Sequence, residues 1–388
     1  MAKLGELGKI ITGNTPKTSD AQNYESNDIC FVKPSDFTDN EITEIHQSEF
    51  YISAYAKDKA RVLPTDSILV TCIGIIGKVA INKVPCAFNQ QINAIVPEKK
   101  VYNPRYIAYA IQNLQPQMQN TANAAVVPIL NKTQFSNIEI PLPSLEMQKQ
   151  IVEFLDKVTS LISLRKQQLA KLDELVKARF VEMFGDPADN VNNLPASPMT
   201  AICQIIDGDR GKNYPKQEEF SDNGFCLFLN AKNVTAQGFS FENCTYITEE
   251  KDALLRNGKL CRGDVVLTTR GTIGNLAFYD TSVPYENIRI NSGMVILRMN
   301  KQVVSEIFFI EQFKMQLDSI KSRIASGSAQ PQLPISTMNK IEMILPPIEL
   351  QNQFAAFVER VDQQKQTVQQ SLDKLELMKK ALMQEYFG

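Results

Sequence analysis

Two long stretches of the chain place an apolar residue at every third or fourth position, with no Pro or Gly between. The first runs from Glu146 to Phe184 and carries Ile151, Leu155, Val158, Ile162, Leu169, Leu172, Val176 and Met183 on one stripe. The second runs from Glu349 to Phe387 with Phe354, Val358, Val361, Val368, Leu372, Leu375, Leu382 and Tyr386. This spacing predicts two amphipathic helices of about 40 residues, each about 60 Å long. Pro141 and Pro143 mark the start of the first, and Gly185-Asp186-Pro187 its end. Neither stripe is unbroken. Arg165 and Arg179 stand where the second has Val368 and Leu382, and Lys365 and Lys379 where the first has Ile162 and Val176. A long helix with so narrow an apolar stripe needs a partner. The nearest partner is the other helix. Two separately packed helices, or coiled coils between chains, are the alternatives.

Ahead of each helix the pattern changes. "SILVTC", "NAIVP", "VVLTTR" and "GMVILRM" are short β-rich runs bounded by Gly, Pro and Asn, which predicts strands. "PRYIAYAIQNLQ" and "SEIFFIEQFKMQLDSIKSRI" have helical spacing. The same order appears twice. "LPTDSILVTCIGIIGKVAI" (63–81) parallels "CRGDVVLTTRGTIGNLAFY" (261–279), pairing Asp66 with Asp264, Thr71 with Thr268, and Gly74/Gly77 with Gly271/Gly274. "ICFVKPSDF" (29–37) parallels "CLFLNAKNV" (226–234), "NQQIN" (89–93) parallels "NIRIN" (287–291), and Ile10–Gly13 parallels Ile205–Gly208. "PLPSLEMQKQ" parallels "LPPIELQNQ" at the helix starts, pairing Gln148 with Gln351 and Gln150 with Gln353. The period is far too long for a solenoid. The expected architecture is α+β, a tandem duplication of a globular domain plus a long helix. It divides into residues 1–145 (globule), 146–186 (helix), 187–348 (globule) and 349–388 (helix), with the helices pairing antiparallel and the whole pseudo-twofold.

Composition removes several classes of chemistry. The formal net charge is −2, and the near-balance holds segment by segment, so overall charge does not advertise nucleic-acid binding. His46 is the sole histidine, which removes most His-based acid/base schemes. Seven cysteines without a CxxC point to reduced thiols in the cytosol rather than disulfides or a metal site. The start "MAKLGELGKI" does not read as a signal peptide, and no apolar run is long enough to cross a membrane. "GIIGK" and "GTIGN" are too short for a phosphate-cradling loop and read as tight turns after strands. "NPRY" (103–106) approaches a methyltransferase motif, but its third residue is wrong and the second half lacks it, so Tyr106 reads as the start of a core helix. No catalytic set assembles, and the chain is expected not to be an enzyme.

The doubled motifs resemble type I restriction-modification specificity subunits. The resemblance rests on "IPLPSLEMQKQI" and "ILPPIELQNQF" leading long helices that end in Phe-Gly, on "LGELGKIITGNTPK", "GDVVLTTRGTIG" and "GSAQPQLPIS", and on their order across the whole chain. In the first half "NTANAAVVPILN" replaces the last of these and lacks its Gly and Gln. The resemblance implies that each globule is a target recognition domain reading one half of a bipartite site in double-stranded DNA. The spacer helices would set the gap and dock two methyltransferase subunits, and restriction subunits would join them. S-adenosylmethionine, and ATP with Mg, would belong to those partners; this chain needs no cofactor. Divergent halves imply an asymmetric site. A pseudo-symmetric protein-interaction adaptor without direct DNA readout is the competing reading.

Base edges in the major groove are read by Arg or Lys on guanine and by Asn or Gln on adenine. Candidate DNA contacts are therefore polar residues in loops at matching places in both halves. Asn14, Thr15 and Lys17 match Arg210 and Lys212; Lys33, Ser35 and Asp36 match Asn230, Lys232 and Asn233; Gln90 and Gln91 match Arg289. Arg270 and Thr272 lie at the Gly-rich turn, and Ser326, Ser328 and Gln330 precede the last strand. Asp66 and Asp264 read as turn formers rather than contacts. Gln148, Gln150, Gln351 and Gln353 either face partner subunits or tie each helix start to its own globule.

Overall fold

The computed structural model describes residues 1–39, 41–98, 101–122, 127–325 and 332–388. They divide into two compact units, Met1–Lys166 with Gln369–Gly388 (unit 1) and Gln167–Val368 (unit 2). The long helices run Leu145–Phe184 and Ile348–Phe387, each 40 residues. By residue number, each unit holds the first half of one helix and the last half of the other.

Unit 1 is built on strands β1 (Gly8–Thr12), β2 (Ile29–Val32), β3 (Thr43–Ile45), β4 (Phe50–Ile52), β5 (Ile68–Thr71), β6 (Val79–Asn82), β7 (Cys86–Phe88) and β8 (Ile92–Pro97). One sheet has the order β1-β8-β5-β6-β3, the other β4-β2-β7. Helix α1 (Pro104–Asn113) follows, started by Asn103, whose side chain accepts from the amides of Arg105 and Tyr106. Pairing of β8 with β1 and with β5 sets Ile95 opposite both Ile10 and Ile68. That row packs with Tyr106, Ile107 and Ile111 of α1. The opposite face, Leu69, Ala80 and Ala94, packs with Val32 and Phe88 of the second sheet. A sheet covered on both faces explains why these strands read as continuous apolar runs rather than alternating ones.

Unit 2 repeats the plan. Its strands are β9 (Cys203–Asp207), β10 (Cys226–Leu229), β11 (Val234–Thr235), β12 (Gly238–Phe239), β13 (Tyr246–Ile247), β14 (Asp264–Thr268), β15 (Leu276–Phe278), β16 (Ile288–Ile290) and β17 (Met294–Met299). The sheets run β9-β17-β14-β15 and β13-β10-β16, with β11-β12 a separate hairpin. Leu297 stands opposite both Ile205 and Val265, matching the row through Ile95. Phe308, Phe309 and Phe313 of helix α3 (Glu306–Ala325) cover it. The expected α+β duplication is what is seen.

We label the long helices α2 (Leu145–Phe184) and α4 (Ile348–Phe387). Within each unit they pair antiparallel. In unit 1, Arg165 Nε donates to Ser371 Oγ at 3.2 Å and Lys166 pairs with Glu376 at 3.1 Å. In unit 2, Lys365 pairs with Asp173 at 2.7 Å. Arg165 and Lys365, which interrupt the apolar stripes, are thus engaged at the seam, while Arg179 pairs with Glu182 on its own helix. Both Phe-Gly ends are anchors. Phe184 packs against Phe180, Phe308 and Phe354 in unit 2, and Phe387 against Tyr106 in unit 1 at 5.2 Å. Gly185, at φ 80°, closes the first helix through its amide to the Val181 carbonyl. Among the described residues no helix is long and apolar enough to cross a membrane.

Candidate nucleic-acid interface

In both units the candidate loops leave the same ends of the strands, and in unit 2 the amides of Thr269 and Arg270 donate to the Gly293 carbonyl. In unit 1, Asn14 N donates to Phe88 O, Asn89 N to Val32 O and Cys72 N to Gln91 O. The loops after β1, β2, β5 and β7 therefore form one continuous surface. Gly13 permits this approach, because a Cβ there would lie 2.1 Å from the Asn89 carbonyl oxygen; at Gly208 the distance to the Asn291 oxygen would be 2.3 Å.

That equivalence corrects a register. Asn89 corresponds to Asn291, not to Asn287. Gln91 N donates to Asn89 Oδ1 at 3.1 Å, as Gly293 N does to Asn291 Oδ1 at 2.9 Å. Phe31 pairs with Ala87 where Phe228 pairs with Arg289. Arg289 therefore takes the place of Ala87 in a buried strand rather than the place of Gln91 in a loop. Its guanidinium donates to Asp252, to the Asn257 carbonyl at 2.8 Å and to the Leu255 carbonyl at 3.1 Å. Only 5% exposed, it does not reach a ligand. Burial raises the Asp252 carboxyl, but Lys259 and Arg289 outweigh that and hold it below the usual range.

The turns after β2 and β10 are twins. Lys33 N donates to Asp36 Oδ2 at 2.7 Å, and Asn230 N to Asn233 Oδ1 at 2.9 Å. The other Asp36 oxygen accepts from Glu49 N, and Asn233 Nδ2 donates to the Ser240 and Asn243 carbonyls. Asp36 and Asn233 are turn clamps, not contacts. Ser35 donates to Glu49, and the Asn230 oxygen accepts from Lys232 N. Lys33 lies 3.0 Å over the Phe50 ring, and Lys232 is exposed. Asn14 is bound at both ends of its amide, to the Lys59 carbonyl and to Arg61 N. Thr15 and Gln90 are exposed and joined at 2.8 Å, Gln91 is half-buried against Asn89, and Lys17 and Lys212 are exposed. Arg210 spans Asp207 at 3.1 Å and the Ser292 carbonyl at 3.2 Å. Ser326, Ser328 and Gln330 lie outside the described residues.

At the Gly-rich turns the threonine hydroxyls hold the loop: Thr71 Oγ1 accepts from Lys78 N and Thr268 Oγ1 from Asn275 N, both at 3.0 Å. Gly74 and Gly271 sit at φ 76° and 72° with open space beside them. On this shared frame three isoleucines are replaced by polar residues. Unit 1 presents Ile73, Ile75 and Ile129, with Ile75 56% exposed. Unit 2 presents Arg270, Thr272 and Gln332 in the same places, around a 310 Å³ pocket shared by Arg270, Gln332 and Arg210. The isoleucines and Gln332 escape a search for polar loop residues. Aligning the two halves turn by turn is the signal that finds them. Asp264 is buried and bound by Arg298 Nε and Nη2, both at 2.8 Å, which makes it structural as read.

At the helix starts the glutamines divide. Gln148 Oε1 accepts from Asn103 N at 2.9 Å while Nε2 donates to the Pro143 carbonyl at 2.9 Å. Gln351 Oε1 accepts from Ser305 N at 3.0 Å while Nε2 donates to the Val303 and Pro346 carbonyls at 3.1 and 2.8 Å. Both are buried ties between helix and globule. Gln150 and Gln353 are exposed. In unit 2, Gln353 joins Leu175, Ala178 and Phe357 along an open groove on the helix pair.

The sequence profile described as "Type I restriction modification DNA specificity domain" matches residues 1–174 and 199–377. The MjaIX type I restriction enzyme specificity subunit of Methanocaldococcus jannaschii is 24% identical over 390 residues, covering 92% of this chain and 85% of its own length. Of solved structures, the type I restriction-modification S subunit from M. genitalium superposes with a TM-score of 0.55 at 15% identity, covering 100% of this chain and 95% of its own. A chain from a structure of type I R-M complex assembly and conformational transition gives 0.58 at 15% identity, covering 99% and 96%. At such identity the structural likeness speaks for the fold.

Proposed function

The chain belongs to the type I restriction-modification DNA specificity family, and from that premise we propose that it reads an asymmetric two-part site in double-stranded DNA while holding two methyltransferase subunits. It is the DNA-recognition subunit, and the adaptor reading is not favoured. Restriction subunits join the complex. Methyl transfer with S-adenosylmethionine, and cleavage with ATP and Mg, belong to the partners, in the cytoplasm.

One observation supports the asymmetry above all. Two identical loop frames carry Ile73, Ile75 and Ile129 in one unit and Arg270, Thr272 and Gln332 in the other. Apolar side chains suit the thymine methyl group, whereas an arginine suits the O6 and N7 of guanine. Thr15, Gln90 and Lys17 of unit 1, and Arg210, Lys212 and Lys232 of unit 2, complete the two faces. Asn14, Ser35, Lys33, Gln91 and Asn230 support them. The near-neutral charge accords with weak DNA binding by the chain alone, because phosphate neutralisation dominates affinity. Gln150, Gln353 and the apolar face with Leu175 and Phe357 serve as the methyltransferase dock.

The test is a methylome. The chain is co-expressed with its methyltransferase subunit in a host lacking other adenine methylation, and modified bases are mapped by long-read sequencing. A two-part asymmetric motif of fixed gap, lost when this chain is omitted, is expected. Exchanging residues 1–145 changes one half of it only. Methylation of the same motif without this chain overturns the reading.

A further inference from the structure

The two units differ beside the long helices as well as at their loops. The glutamine ties fix the equivalence: Asn103 with Ser305 and Gln148 with Gln351. Arg105 then corresponds to Ile307, Tyr109 to Glu311, and Asp156 to Glu359. In unit 1 this place is filled from within. Arg105 Nη1 donates to Glu44 Oε1 and its Nε to Asp156 Oδ1, both at 2.6 Å, and Tyr109 donates its hydroxyl to the same Asp156 oxygen at 2.6 Å.

Unit 2 lacks the arginine. Where β3 lies beside β6, the β11–β12 hairpin lies beside β15. Between hairpin, α3 and α4 an 800 Å³ groove stays open, with Phe239, Phe278, Ile307 and Ile310 among its apolar lining. Its rim carries Asp280, Glu311, Glu359 and Asp362 against a single cation, Lys314. Lys314 pairs with Glu311 at 2.7 Å, and Lys365 stands 3.3 Å from Asp362. Among the described residues Glu359 makes no ion pair, although Asp156, its counterpart, is matched by Arg105.

We propose that this groove receives an arginine-bearing amphipathic segment of the methyltransferase subunit, at unit 2 only, so that the two copies dock unequally. The inference rests on the docking reading above. Unit 1 shows which chemistry satisfies the place, a guanidinium on the helix carboxylate, and the apolar lining of the unit 2 groove adds the need for an apolar face. The acidic rim selects the same sign of charge. Glu359 also lines the open face bearing Leu175, Ala178 and Phe357, so one docked subunit can reach both surfaces.

The experiment is native mass spectrometry of the full chain with its methyltransferase subunit over a dilution series. Wild type is expected to show two dissociation constants at least about tenfold apart. Ile307→Arg lets the chain fill its own groove as Arg105 does, without loss of unfolding temperature, and weakens the tighter step about tenfold. Glu359→Arg, on an exposed residue, does the same by repulsion. Two equal steps in wild type, or unchanged constants in both variants, overturn the proposal and leave the docking reading standing. Absence of any methyltransferase binding to wild type overturns both.

Discussion

Replacing Gln351 with alanine separates scaffold from partner contact at the helix start. The side chain is fully buried and makes three hydrogen bonds, to Ser305 N, Val303 O and Pro346 O. A buried hydrogen bond contributes about 1 kcal/mol net, so Gln351→Ala destabilises unit 2 by about 3 kcal/mol. Gln148 makes two such bonds, to Asn103 N and Pro143 O, which predicts about 2 kcal/mol for Gln148→Ala. For a unit of roughly 200 residues each kcal/mol moves the melting temperature by about 2–4 °C. Gln351→Ala should therefore melt about 6–12 °C lower, and Gln148→Ala about 4–8 °C lower. Gln150→Ala and Gln353→Ala, exposed on the same turns, should leave stability within about 0.5 kcal/mol but weaken methyltransferase binding. Calorimetry with a binding titration reads both. A Gln351→Ala protein that melts like wild type yet loses its partner refutes the reasoning, because the glutamine would then face outward in the working complex.

Other perturbations test the remaining parts. Arg289→Met leaves the buried Asp252 paired with Lys259 alone and costs about 3 kcal/mol in denaturant unfolding, while the methylated motif stays the same. The Asp252 carboxyl is held below its ordinary range in the fold. Its stabilising contribution is therefore complete above the unfolded value of about 3.9 and fades as pH falls through the lower folded value, so acid unfolding should begin earlier relative to neutral stability in wild type than in Asp252→Asn. Phe184→Ala empties a site among Phe180, Phe308 and Phe354 and costs about 3–5 kcal/mol by thermal unfolding. Arg270→Ala should relax one base of one half-site by about 1–3 kcal/mol, or roughly 5–150-fold in methylation rate, with the other half unaffected.

The helices, the strands and the duplication were legible because each is written as a period: three to four for a buried helical stripe, runs of apolar residues for a sheet covered on both faces. Arg289 was not legible. "NQQIN" and "NIRIN" share three of their five letters, but register is decided by which carbonyl each strand amide meets, and the pairing of Phe228 with Arg289 puts that arginine where unit 1 has Ala87. The Asp36 and Asn233 turns misled for a related reason. Their positions do match, yet a short polar side chain after a strand more often closes its own turn than faces outward, and both do so here.

A duplicated chain nevertheless supplies its own control. Where the two units keep the same side chain in the same bond, as at Thr71 and Thr268 or Gln148 and Gln351, the residue serves the frame both share. Where the frame is kept and the side chain changes class, packing has ceased to dictate the residue and selection for something outside the chain can act. Ile73, Ile75 and Ile129 against Arg270, Thr272 and Gln332 is one such place, and Arg105 against Ile307 is another. The first set lies on the loop surface and the second beside the long helix. One chain can thus diverge in what each half reads and in how each half is held, while both halves keep a single fold.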